Sequence, residues 1–169
     1  MPKTVVRHEG EHLYADQPRS EAGQRLSKAI LHLRRSERVQ ADRAVRASLL
    51  SSVDLTALRY LVQGQRDDRR LSPKDLIVML DTSSATVTNV VERLVARGYI
   101  TRVQHPTDRR AHYLVPTDEA VAHVDAAYAA RDAAVVAVID RLGDRDAESA
   151  AEIIEEIAQV LESLDGEPR

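Results

Sequence analysis

Apolar residues follow two different periods along this chain, and the change falls at Gly98. Before it, Val87, Val90, Val91, Leu94 and Val95 step by three and four, the mark of a helix with one buried face. After it, residues 99–104 and 111–115 are rich in β-branched residues and Tyr, and they flank His105-Pro106-Thr107-Asp108-Arg109-Arg110. That pattern predicts a hairpin. Gly98 stands where a left-handed helix cap is needed. Upstream, Ser72-Pro73-Lys74-Asp75 is a helix start. Ser72 can accept from the Asp75 amide, Pro73 suits the first helical position, and Asp75 lies in the positive first turn. Leu76, Ile77 and Leu80 give this short helix its apolar face, and Asp81-Thr82-Ser83 supplies a turn.

The order short helix, turn, helix, hairpin predicts a winged helix-turn-helix, which sets one helix in a major groove and a loop beside it. The flanks read as helices. Leu26, Ala29, Ile30 and Leu33 mark one over about 24–36, and Val45 and Leu49 mark a second over about 37–50. Asp54 is the expected cap of the next, with Leu55, Leu58, Leu61 and Val62 as its stripe, and Gly64 to Arg70 reads as a polar break. Beyond the hairpin, Thr117 starts a long helix to about 142. Gly143 breaks it, and a last helix over about 146–164 carries Ile153, Ile154, Ile157, Val160, Leu161 and Leu164. The expected fold is mainly α with a small β-hairpin wing. Its segments are an arm (1–20), N-terminal support helices (21–53), a winged unit (54–116) and C-terminal helices (117–169).

Composition narrows the chemistry. The 169 residues include no Phe, Trp or Cys, so the core is aliphatic, and disulfides, thiolate metal sites and cysteine nucleophiles are excluded. No apolar run approaches the ~20 residues that span a bilayer, and no secretory signal is visible, so a cytoplasmic protein is expected. The net charge of −3 alone does not suggest nucleic acid, but its distribution does. Residues 1–113 carry 20 Lys and Arg against 13 Asp and Glu, whereas residues 114–169 carry 4 against 14. This split suggests a basic working surface and an acidic far end.

The inward stripe of the 84–97 helix leaves Ser84, Thr86, Thr88, Asn89, Glu92 and Arg93 on its outer side or edges, with Ser83 just before it. Short hydroxyl side chains allow close approach to a groove and bond phosphates or base edges. Asn89 can read adenine, and Arg93 can reach phosphate or guanine. The same residues equally describe a small-residue helix packed on a neighbour. The hairpin tip shifts the balance: Asp108 is placed to order Arg109 or Arg110 for a narrow minor groove. No catalytic arrangement appears. His8 and His12 are spaced for a metal but stand in the arm, so no metal, cofactor or enzyme activity is expected.

The segments LTALRYL, LSPKDLIVMLDTSSATVTNVVERLVARGYITR and HPTDRRAHYLVPT resemble the MarR (multiple antibiotic resistance regulator) family of winged helix-turn-helix regulators. Asp108 and Arg110 stand at the family's wing pair. The resemblance implies a homodimer held by terminal helices, here through Leu26, Ile30, Leu33, Leu142, Ile153, Ile154, Ile157 and Leu161. It implies a sequence-specific regulator, most often a repressor, reading a palindrome in double-stranded DNA. Relatives respond to small aromatic ligands, and Tyr60 and His32 are candidates to line such a pocket. The alternatives are a ligand sensor, or a protein-interaction module that uses the winged fold without DNA.

Overall fold

The computed structural model describes residues 17–104 and 111–164. Six helices and one hairpin follow in order among them: α1 (Glu21–Ser48), α2 (Ser52–Arg66), α3 (Pro73–Met79), α4 (Ser84–Ala96), β1 (Ile100–Gln104), β2 (His112–Pro116), α5 (Asp118–Ile139) and α6 (Asp144–Leu164). The chain divides into two compact units, residues 1–127 and 128–169. No described helix is long and apolar enough to cross a membrane. The mainly helical winged fold expected from the residue pattern is the fold observed.

In the first unit, α2 packs against α4 and β2, and α3 packs against α4. The core joins one face of each. Leu55, Leu58 and Leu61 come from α2, Leu76 from α3, and Val87, Val90 and Leu94 from α4, all essentially inaccessible to water. Antiparallel β1 and β2 run in register from Ile100 opposite Pro116 to Gln104 opposite His112. Leu71 adds a third, single-residue rung, its carbonyl accepting from the Leu114 amide at 2.8 Å. That rung pins the hairpin to the start of α3.

Three helix ends use one device. At the ends of α2, α3 and α4 the residue after the cap takes positive φ: Asp68 at 54°, Asp81 at 45° and Gly98 at 76°. In α4 the Gly98 amide donates to Val95 and the Tyr99 amide to Leu94, the paired bonds of a Schellman stop. The same pairs occur at Asp81 and Thr82, donating to Val78 and Ile77, and at Asp68 and Arg69, donating to Gln65 and Gly64. Asp tolerates this left-handed geometry better than most residues. Thr117 closes the unit. Its hydroxyl donates to the Gly98 carbonyl at 3.0 Å and accepts from the Ala120 amide at 3.3 Å, which starts α5.

The structure differs from the residue pattern in three places here. The two helices expected over 24–36 and 37–50 are the single α1, because no Gly or Pro interrupts residues 24–48. Ser51, not Asp54, caps α2, since its Oγ accepts from the Asp54 amide at 3.1 Å. Asp54 lies inside the first turn, and its side chain is turned to another task. Gly64 is not a break but a buried residue of α2. A Cβ there would stand 3.0 Å from the Arg69 carbonyl oxygen and from Leu71, so its absence lets the returning loop close on the helix.

The second unit holds the end of α5 and all of α6. No residue of α6 is buried. Ile153, Ile154, Ile157, Leu161 and Leu164 recur on one side of it, all exposed. Val135, Val136, Val138 and Ile139 at the end of α5 are exposed as well.

Candidate nucleic-acid interface

Helix α4 is anchored by Val87, Val90, Val91 and Leu94, so its other side faces water by the geometry of the helix. Its start is tightly ordered. The Ser83 hydroxyl accepts from the Thr86 amide at 3.2 Å and bonds the Thr86 hydroxyl at 2.9 Å. Thr88 donates its hydroxyl proton to the Ser84 carbonyl at 2.9 Å, leaving its oxygen to act as an acceptor. Ser84 and Asn89 are exposed, and among the described residues neither side chain has a hydrogen-bond partner. The seven polar positions named from the sequence thus divide, with Glu92 exposed. Ser83 and Thr86 fix the helix start, Thr88 is half committed, Ser84 and Asn89 stand open, and Arg93 is paired.

The pairing of Arg93 was not legible beforehand. Its Nε donates to Asp54 Oδ2 at 3.0 Å and its Nη2 to Asp54 Oδ1 at 2.6 Å. Bonding to Asp54 pushes the guanidinium above its ordinary pKa against the opposing effect of burial, so it stays charged. The usable signal was Ser51-x-x-Asp54, a capping pattern that puts the acid in the third helical position rather than at the cap.

The far end of α4 is tied to α1. Arg97 Nη1 donates to the Leu49 carbonyl at 3.0 Å, and His123 Nε2 meets the Ser48 carbonyl at 3.1 Å while its Nδ1 meets the Tyr99 hydroxyl at 3.3 Å. These bonds satisfy carbonyls that the end of α1 leaves open.

Beside α4 lies an open cleft of about 600 Å³. Ser72, Pro73 and Lys74 form one side, Thr88 and Val91 its floor, and Arg102, Ala111, His112 and Leu114 the hairpin side. Among the described residues Lys74 and Arg102 have no acidic partner, and no acidic residue is among those that line the cleft. The residue pattern pointed to neither of them, nor to His112. Alternation could have found the last two, because Arg102 shares a strand face with buried Ile100 and His112 with buried Leu114. Asp108, Arg109 and Arg110, the wing pair and its neighbour, lie outside the described residues, as do His8 and His12. Among the described residues no group of acidic or His side chains could hold a metal. Tyr60 lines a shallow hollow with Ser52, Met79 and Asp81, and His32 borders another along α1 with Arg35 and Arg43.

A core-anchored helix with an open polar edge, a tight turn before it and a basic cleft under a hairpin define a winged helix-turn-helix. Comparison with known proteins specifies it further. Residues 50–111 match the model of the MarR family. MepR of S. aureus in its DNA-binding conformation superposes with a TM-score of 0.63 at 18% identity, over 80% of this chain and 98% of that one. The S. aureus MepR–DNA complex gives 0.54 at 19%, over 77% and 95%. A transcriptional regulator of Thermotoga maritima gives 0.54 at 23%, over 86% and 99%. No curated protein sequence matches. Residues 50–111 thus resemble the winged helix-turn-helix of the MarR family, and the fold of the chain is similar to that of the MepR structures.

Proposed function

We propose that this protein is a sequence-specific DNA-binding regulator of transcription that acts as a homodimer on a palindromic operator. One observation carries the reading: the exposed edge of α4, with Ser84, Thr88 and Asn89, runs beside the cleft that holds Lys74 and Arg102. Bases are read from the helix, and phosphates are held from the cleft. MepR, similar in fold, forms a complex with DNA, which supports DNA as the partner. The exposed aliphatic stripe of α6 supports the dimer, as do Leu26 and Leu33 on α1 and Leu142, because side chains of this size gain most by leaving water. Ile30 on α1 is half-buried.

A two-fold dimer sets its half-sites ~10 base pairs apart, or a multiple of that. Repression, relieved by a small aromatic effector, is the regulatory mode proposed from the family likeness. Gel-shift with DNA from upstream of the protein's own gene, followed by footprinting, tests the reading. A protected palindrome with that spacing is the expected result. Binding that is indifferent to sequence refutes it.

A further inference from the structure

We propose that Asp54 is a positioning residue for DNA recognition: its buried carboxylate holds Arg93 in one conformation, so that the guanidinium meets the DNA already ordered. This inference rests on the DNA-binding function proposed above and deepens it.

The two partners are unequal. The Asp54 side chain is 5% exposed and the Arg93 side chain 48%. Asp54 is held from below, in the first turn of α2, where free amides and the helix dipole favour an anion. From there it grips Arg93 through two parallel bonds, to Nε and Nη2. A guanidinium carries five N–H donors, so three remain. Among the described residues they have no partner, and half of the side chain stands in water. Arg93 follows Asn89 by four residues, so both lie along one edge of α4. A fork fixed on one side and open on the other presents its remaining donors in a set plane, the geometry that phosphate or guanine accepts.

A structural ion pair and a positioning pair predict opposite signs for loss of the carboxylate. If Asp54 serves only the packing of α2 on α4, its charge opposes an approaching polyanion, and neutralising it strengthens binding. If Asp54 orders Arg93, neutralising it frees a long side chain that DNA must then immobilise. Binding weakens by about three- to tenfold for each arginine, the range for ordering one flexible side chain, and so by about ten- to a hundredfold for the two arginines of a dimer. The cation itself remains, so the salt dependence is unchanged.

The test uses the full chain and a fluorescent duplex recovered by the wild-type protein from random sequence. Asp54→Asn, Arg93→Ala and the double variant are titrated at two salt concentrations, with thermal melting of each as the check on folding. Asp54→Asn is expected to melt cooperatively, bind about ten- to a hundredfold more weakly as a dimer and keep the wild-type salt slope. In the Arg93→Ala background it is expected to have no further effect, because the cycle isolates the coupling. If Arg93→Ala does not fold, Arg93→Lys, which keeps the charge but cannot fork, takes its place with the same expectation. Asp54→Asn binding as tightly as wild type or tighter, or costing the same in both backgrounds, overturns the proposal while the DNA-binding function stands. Failure of the wild-type protein to select any duplex overturns both.

Discussion

Removing the charge of Arg102 tests the cleft directly, because the effect is a slope rather than a single affinity. Each phosphate neutralised by Lys or Arg contributes about −0.9 to the dependence of log affinity on log salt. Lys74 and Arg102 border the cleft in each protomer, so a dimer offers about four such contacts from this source and a slope of about −3.6 before the recognition helix and wing are counted. Arg102→Gln removes about two of the four and lowers the slope by about 1.8. Between 50 and 200 mM salt, the ratio of affinities then shrinks about twelvefold relative to wild type. A drop of only about 0.9 would mean one copy per duplex, so the measurement also reads stoichiometry.

The assay is fluorescence anisotropy on a selected duplex over that salt range. Arg145→Gln, exposed on α6 and not among the residues that line the cleft, is the control and should leave the slope unchanged. Two results would refute the reasoning. One is an Arg102→Gln protein that binds more weakly with an unaltered slope, since the loss would then be structural. The other is an equal fall in slope for Arg145→Gln, since the effect would then be one of net charge.

Four further substitutions probe the frame. Leu94→Ala empties a fully buried site under α4 and should cost about 2–5 kcal/mol in denaturant unfolding, with DNA affinity falling as the helix loses its seat. Gly98→Ala meets no atom within 4 Å, so its cost is the left-handed backbone alone, about 1 kcal/mol net of the entropy that alanine removes from the unfolded chain. Ser72→Ala removes a reciprocal cap at the start of α3 and should lower stability by about 1 kcal/mol, read by thermal melting. Ile157→Asp sets a charge into the exposed stripe of α6; sedimentation should then show an 18.8 kDa species in place of the dimer, with DNA binding lost in parallel.

What could be read from the residues is what short-range rules control. The Ser72 cap with Asp75, the valine stripe of α4 and the Gly98 stop are decided within about one turn of helix, and the winged order follows from them. Errors arose where partners are distant in sequence. Asp54 looked like a cap because an acid before an apolar run usually is one, but its partner is Arg93, 39 residues away. Gly64 looked like a break because glycine disfavours helix, yet the approach of Arg69 and Leu71 makes the missing side chain necessary. Nothing in the local sequence sets Lys74 and Arg102 apart. Only the fold of the hairpin onto α3, through Leu71 and Leu114, brings them to one cleft.

These long-range bonds share a property that bears on regulation. Each joins α4 or its exit to another helix through a side chain of defined geometry: Arg93 to the start of α2, Arg97 to the Leu49 carbonyl at the end of α1, and Tyr99, through His123 of α5, to the Ser48 carbonyl. The apolar contacts of Val87, Val90 and Leu94 are non-directional and tolerate small rotations of the helix. The polar bonds do not, because a forked arginine loses much of its strength with misalignment. Hydrophobic burial therefore holds α4 against the core, while its rotation about its own axis is set by the ends of α1 and α2. The direction in which Ser84 and Asn89 face is thus decided outside the helix-turn-helix itself.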